Sequence, residues 1–324
     1  MSEKFTRKVL VTGATGQIGS ELVPELRRIH GGENVVCGVH RRPLPDDLKN
    51  SGPFETVDVT DKRLIEKTIR KHDIDTIYHM AAILSAAGEE NPQLAWNVNV
   101  NGTLNILDVA REHGIFRVWI PSSIAVFGPE TPAVDAPQET VLKPRTMYGL
   151  TKVTCELLGN YYFEKFRLDV RGVRYPGIIS SRTVPRGGTT DYAVEIFYEA
   201  IKHKHYTCFL REDTVLPMMY MPDCLKATIE LMGADLSGCK NRIDFNITAM
   251  SFSPRELAEE IKKHIPEFTI EYKPDSRQAI ADSWPKTIDD SAARQAWCWK
   301  PDFDLSAMTK DVLEKLGRRY EECF

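Results

Sequence analysis

What the chain lacks bounds it first. None of its 324 residues falls in an apolar run long enough to span a bilayer, so no membrane partner is expected. Basic residues are not in excess. The 42 Lys and Arg stand against 46 Asp and Glu, a net charge of -4, and the pI is near 6.1. That balance argues against a polyanion-binding surface and a nucleic-acid partner. The 7 cysteines are odd in number and widely spaced, with no C-x-x-C pair. They suit free thiols in a reducing compartment rather than a disulfide frame or a zinc cluster. His203 and His205 have nothing nearby to complete a ligand set and read as a solvated helix end, so no metal is expected. Low-complexity linkers and internal repeats are missing too. The leader MSEKFTRK is shorter than a signal or transit peptide.

What is present alternates. Short apolar runs at 9–12, 35–39, 55–57, 76–80, 117–121 and 170–173 read as strands. Stretches at 17–30, 62–72, 92–113 and from Tyr148 to about Phe166 read as helices. That order predicts right-handed crossovers and a doubly wound, parallel α/β sheet of Rossmann type. Past Arg174 the pattern loosens into a loop at 185–190, a helix at 192–202, a strand at 243–247, a helix at 254–264 and a tail with Trp and Pro. We expect a Rossmann domain binding NAD over 1–178, with segments about 207–248 returning to it. A smaller, mainly substrate-binding part is expected over 179–324.

The first strand runs into Gly13-A-T-Gly16-Q-I-Gly19, which opens a helix. Gly13 permits the tight turn, Gly16 lets backbone N–H groups approach a pyrophosphate, and Gly19 lets the helix pack on the strand. The helix N-terminus adds its positive dipole end. An acidic residue at the end of the second strand would bind the ribose hydroxyls of NAD. Here that end reads C-G-V-H-R-R-P: Val39 takes the place, and Arg41 and Arg42 follow. The two arginines either serve a 2′-phosphate, which would favour NADP, or are solvated loop charges.

Tyr148 and Lys152 stand four apart at the start of a predicted helix, hence on one face. A tyrosine base at neutral pH must ionise well below the ordinary value of ~10. An ammonium at ~4 Å supplies about the 4 kcal/mol this needs at an effective dielectric of ~20. Ser123 ends the fifth strand, on the sheet edge where ligands of open α/β folds sit, and its hydroxyl suits a substrate oxygen. Ser122 is the alternative for that role.

The G-x-x-G-x-x-G spacing resembles the extended branch of the short-chain dehydrogenase/reductase superfamily, in which Ser123, Tyr148 and Lys152 match the catalytic residues. Further stretches narrow the resemblance. They are AAILSA at 81–86, AWNVNVNGT at 95–103, PSSIAVFGP at 121–129, RYPGIIS at 174–180, GGTTDYAVEIF at 187–197, LPMMYMPD at 216–223 and SWPKTIDD at 283–290. Together they look like the zinc-independent, short-chain type of L-threonine 3-dehydrogenase, over essentially the whole chain.

That resemblance implies oxidation of L-threonine to L-2-amino-3-oxobutanoate with hydride transfer to NAD+. It implies cofactor contacts at Gly13, Gly16, Gln17, Ile18, Arg41, Asp58, Val59, Ala81, Ala82, Asn99, Tyr148, Lys152, Tyr175 and Pro176. Substrate contacts would fall on Ser85, Ser123, Tyr148, Gly188, Thr189, Asp191 and Trp284. Each has a plainer reading. Asp58 and Ser85 would cap helices, Thr189 and Asp191 would cap the helix after them, Trp284 would be core, and Asn97 and Asn101 would cross-link their helix. The family also suggests a homodimer with a helical interface, to which Tyr161, Tyr162, Phe163 and Phe166 would contribute, core burial being the alternative. It further suggests a functional link to a 2-amino-3-ketobutyrate CoA ligase, and a mitochondrial location if the source is eukaryotic, otherwise a cytoplasmic one. The rival readings are an NDP-sugar epimerase or dehydratase and a non-catalytic NAD(P)-sensing module.

Overall fold

The computed structural model describes residues 7–184 and 188–321. The leader residues 1–6, residues 185–187 of the expected loop and Cys323 lie outside the described residues. The chain divides into two compact units. The first comprises Met1–Ser122, Thr151–Val173 and Thr228–Asp244; the second comprises Ser123–Leu150, Arg174–Ala227 and Phe245–Phe324.

The strands of the first unit are β1 (Val9–Thr12), β2 (Val35–Val39), β3 (Phe54–Thr56), β4 (Thr76–His79), β5 (Arg117–Trp119), β6 (Ser122–Ser123, ending in the second unit) and β7 (Val170–Arg171). Six form one parallel sheet in the order β3-β2-β1-β4-β5-β7. Parallel strands covered on both faces need apolar runs without alternation. Accordingly Val9, Leu10 and Val11 are all fully buried. Chain order reverses between β1 and β4, so their C-terminal ends flank the crevice where such sheets bind ligands.

The helices of this unit are α1 (Gln17–His30), α2 (Asp46–Asn50), α3 (Lys62–His72), α4 (Ser85–Glu90), α5 (Pro92–Trp96), α6 (Gly102–Glu112) and α7 (Met147–Phe166, which starts in the second unit). Ile65 and Ile69 of α3 and Ile106, Leu107 and Ala110 of α6 pack in one core with Leu10, Val36, Ile77 and Val118 of the sheet. Asp61 begins α3 by accepting the N–H of Arg63.

The expected strands 117–121 and 243–247 shorten to Arg117–Trp119 and Phe245–Asn246, and two further elements differ. The run 92–113 is helical but not uniform: α5 and α6 are joined by a π-helical turn, Asn97–Asn101. The expected strand 170–173 ends at Arg171, because the N–H of Gly172 turns to the carbonyl of Arg242; β8 (Val173–Tyr175) follows.

In the second unit β9 (Gly177–Ile179) runs parallel to β11 (Leu216–Tyr220), which pairs antiparallel with β13 (Met250–Phe252). Strand β10 (His205–Cys208) pairs with β14 (Thr269–Tyr272). The helices are α8 (Tyr192–His203), α9 (Met221–Gly233, which ends in the first unit), α10 (Pro254–Lys262), α11 (Arg277–Ala281), α12 (Ser291–Trp297) and α13 (Leu305–Glu321); β12 (Phe245–Asn246) follows α9. A capping box between Ser253 and Glu256 starts α10. Helices α8, α10 and α13 pack on one another through faces that bury Ile196, Phe197, Leu257, Ile261, Met308 and Val312.

No helix among the described residues is long and apolar enough to cross a membrane. Among the same residues no group of His, Cys, Asp and Glu is placed to hold a metal.

Candidate functional site

In the first unit the glycine turn is built as the spacing requires. Gly13 has φ +66°, and a Cβ there would come within 2.7 Å of the Ala81 N atom. A Cβ on Gly19 would collide with the Gly13 carbonyl. Gly16 is the N-cap of α1, with no side-chain cap bond, and the first turn holds no acidic residue. The positive end of α1 therefore presents N–H groups without a built-in counter-charge, a fit for the pyrophosphate of a dinucleotide. Gln17 and Ile18, the first two helical residues, are half-buried there.

Strand β2 ends on Val39, half-buried, with Arg41 and Arg42 exposed beyond it. Asp58 does not cap α3. Its Oδ1 accepts from the N–H and the hydroxyl of Thr60, at 2.9 and 2.8 Å. Its Oδ2 lies 3.4 Å from His40 Nε2. Partial burial would raise the carboxyl, but the Thr60 bonds and the charges of His40 and Arg41 outweigh it and hold Asp58 below the usual carboxylate range. Val59 is buried against Gly102.

Past β4 the half-buried Ala81 and Ala82 lead to Ile83. Asn99 grips this segment: its Oδ1 accepts the Ile83 N–H at 2.8 Å, and its Nδ2 donates to the Ile83 carbonyl at 3.0 Å. The same Nδ2 also donates to Thr151 Oγ1 at 3.0 Å. Asn99 sits in the π-helical turn, a feature that helices often carry at functional positions. Asn101 Nδ2 donates to Asn97 Oδ1 at 3.0 Å, the cross-link expected of that pair. Ser85 is buried at the start of α4, but Leu84 holds the cap position, so Ser85 is no helix cap.

Lys152 is buried, and its Nζ donates to the Pro121 carbonyl at 2.7 Å. His79, the last residue of β4, is buried between Thr12 and Thr103. Burial first, and the charge of Lys152 second, push the His79 imidazole down to about 3. Thr151, His79 and the Pro121 carbonyl carry no motif of their own in the sequence.

In the second unit Ser123 caps a 3-10 turn, Ile124–Val126, its Oγ accepting the Ala125 N–H at 3.2 Å. It stays half-buried, whereas Ser122 is buried with its hydroxyl on Glu156 of the first unit's stretch of α7. Ser123 is therefore the better placed of the two for a substrate oxygen. Tyr148, half-buried, begins α7 beside Gly149. A Cβ on Gly149 would collide with the Ala125 carbonyl, so the start of the helix lies directly on the turn that Ser123 caps.

Asp191 holds the N-cap place of α8 without a side-chain cap bond. Its Oδ2 instead accepts the Gly188 N–H at 2.8 Å. Thr189 is buried between them. Tyr175 and Pro176 are buried at the end of β8. Trp284 is half-buried, not core, at the close of the turn after α11, its N–H on the Ala281 carbonyl. The strand-like segment after it is strapped to the chain beyond Ser123. Lys286 N–H donates to the Ala133 carbonyl, and Ala136 bridges Ile288. Of the aromatic run on α7, Tyr162 is core, while Tyr161 and Phe166 are exposed.

The profile described as the NAD dependent epimerase/dehydratase family matches residues 9–247. An L-threonine dehydrogenase structure from Clostridium difficile is 50% identical, over 97% of this chain and 98% of its own, with a TM-score of 0.95. The L-threonine dehydrogenase of Phytophthora infestans is 52% identical, over 96% and 99%, with a TM-score of 0.92. A Staphylococcus saprophyticus protein named only as an uncharacterised epimerase/dehydratase is 47% identical over 96% of this chain and 97% of its own.

Proposed function

The chain belongs to the NAD dependent epimerase/dehydratase family, and from that premise we propose that it oxidises L-threonine to L-2-amino-3-oxobutanoate. Similarity at 50–52% identity, running nearly end to end, to two chains named L-threonine dehydrogenase supports the substrate. The observation that carries the chemistry is the contact of Gly149 with Ala125, which sets Tyr148 beside the turn capped by Ser123.

When bound, the oxidised nicotinamide ring supplies the hydride acceptor. Ser123 and Tyr148 hydrogen-bond the 3-hydroxyl of the substrate. Tyr148, as phenolate, takes the hydroxyl proton. The Lys152 ammonium, one turn along α7 and anchored on the Pro121 carbonyl, stabilises the phenolate. By the family resemblance, Gly188, Thr189, Asp191 and Trp284 of the second unit and Ser85 of the first are the residues assigned to the ammonium and carboxylate of the amino acid. Gly13, Gly16, Gln17 and Ile18 would hold the pyrophosphate of a bound dinucleotide, Asp58, Val59, Ala81, Ala82 and Asn99 its adenosine part, and Tyr175 and Pro176 are assigned to the same cofactor by the family resemblance. The family is described as NAD dependent. The phosphorylation state of its ribose is a separate matter, decided at the end of β2.

One assay tests this reading: reduced nicotinamide formation with L-threonine, L-serine and a UDP-sugar, each with NAD+ and with NADP+. L-threonine is expected to give the fastest rate. No signal from L-threonine with either dinucleotide removes the proposal, and epimerisation of the UDP-sugar would put the rival in its place. A homodimer joined through helices is part of the same reading. Leu157 and Tyr161 of α7 are 65% and 54% exposed, an apolar surface of the kind a second copy would cover. A monomer mass by sedimentation would remove the dimer.

A further inference from the structure

We propose that the basic pocket at the end of β2 receives the 2′-phosphate of the adenosine ribose, so that this chain binds NADP in preference to NAD. The proposal rests on reading the glycine turn as a dinucleotide site, and it deepens that reading by naming the form of the dinucleotide.

Strand β2 is hydrogen-bonded alongside β1, and the Gly38 carbonyl accepts the N–H of Ala14 inside the glycine turn at 3.4 Å. The end of β2 is thus fixed beside the phosphate-binding turn. A cavity of about 330 Å³ opens there, walled by Val39, His40, Arg41, Arg42, Lys49 and Phe54. A carboxylate at position 39 would accept two ribose hydroxyls and repel a 2′-phosphate. Val39 does neither. Two guanidiniums and an ammonium take the place of that acid, and guanidinium matches phosphate with paired N–H donors.

The countercharges nearby are already engaged or set to one side. Asp58 lies against His40 of the pocket wall, with its Oδ1 held by Thr60 and its Oδ2 by His40. Asp46 and Asp47 sit in the first turn of α2, where a helix N-terminus favours negative charge. Among the described residues neither Arg41 nor Arg42 takes part in an ion pair. Both are exposed, and Arg41 meets Asp58 only through its field and not in an ion pair, so a ligand phosphate reaches both guanidiniums without breaking a salt bridge.

Calorimetric titration of the intact chain with NADP+, NAD+, 2′,5′-ADP and ADP tests the assignment without turnover. NADP+ is expected to bind about tenfold or more tighter than NAD+, and 2′,5′-ADP tighter than ADP, with the margin shrinking as salt rises. The double variant Arg41→Ala/Arg42→Ala should lose about that factor for NADP+ and clearly less for NAD+, whose remaining binding also shows that it folds. Val39→Asp should move the preference toward NAD+. Equal or tighter NAD+ binding overturns the proposal, as does an equal loss of both dinucleotides in the double variant. Binding of neither dinucleotide overturns the reading of the glycine turn itself. NADP+ preference without L-threonine turnover keeps the pocket and removes the substrate.

Discussion

A methyl group on Gly149 would overlap the carbonyl oxygen of Ala125. The helix that carries Tyr148 therefore touches the turn that Ser123 caps, and only a residue without a side chain allows the approach. Gly149→Ala is expected to keep the fold and dinucleotide affinity but push Tyr148 away from Ser123. Overpacking of this kind costs about 1–3 kcal/mol of stability. A displacement of ~1 Å in a reacting group costs about a hundredfold in rate. Steady-state kinetics alongside a dinucleotide titration separate the two effects. Unchanged kcat would mean that the contact does not position Tyr148.

The base itself is tested by Tyr148→Phe. Removing one hydroxyl takes away the proton acceptor and leaves the half-buried ring in place. Turnover should fall by about 10²–10⁴-fold with dinucleotide affinity retained. If turnover persists, another group takes the proton.

The two neighbouring serines should part company. Ser122 is buried with its hydroxyl on the buried Glu156, and Ser123 is half-buried at the cap of a turn. Ser122→Ala is expected to lower stability by about 1–3 kcal/mol, because a buried carboxyl loses a donor. Ser123→Ala should cost stability only about as much as a lost cap, roughly 1 kcal/mol, and reduce kcat. The reverse pattern would reassign the substrate contact to Ser122.

Asn99 ties the loop after β4 to the π-helical turn and to α7. Asn99→Leu keeps the volume but deprives the Ile83 N–H, the Ile83 carbonyl and Thr151 of their bonds. A loss of roughly 2–4 kcal/mol in urea unfolding is expected, with weaker dinucleotide binding. Intact stability would show that the loop finds other partners.

These residues also mark what the sequence could and could not disclose. The apolar runs of β1, β2 and β4 and the glycine spacing were legible, because a buried parallel strand and a tight turn each demand particular residue types locally. Tyr148, Lys152 and Ser123 were legible as types at a spacing. The Gly149–Ala125 contact was not, since it joins two stretches that only the folded chain brings together. The π-helical turn was hidden for a related reason. Asn97–Asn101 reads as helix, and its widening accompanies bonds from Asn99 to Ile83, distant in sequence. Short strands such as β9 and β13 in the second unit, of three residues each, are too brief to show a period.

His79 gives the pH dependence a sign. Thr103 Oγ1 donates to the Asn99 carbonyl at 2.6 Å, so His79 Nε2–H donates to Thr103 and Nδ1 accepts from Thr12. That arrangement needs a neutral ring, and burial keeps it neutral down to about pH 3. An unfolded histidine takes a proton near ~6.5. Above that value both states are neutral, and the ring adds no pH dependence. Between the two values the unfolded chain binds a proton that the folded one refuses. Stability must therefore fall as the pH is lowered through this window, by up to ~1.4 kcal/mol per unit. His79→Asn should be less stable than the parent near neutrality, through lost bonds, but should escape this slope. The gap between the two in urea unfolding is then expected to narrow by about 2 kcal/mol from pH ~7 to ~5. A gap that stays constant would mean that the folded protein admits the proton, and that the Thr12–His79–Thr103 chain is not the rigid neutral link between β1, β4 and α6 described here.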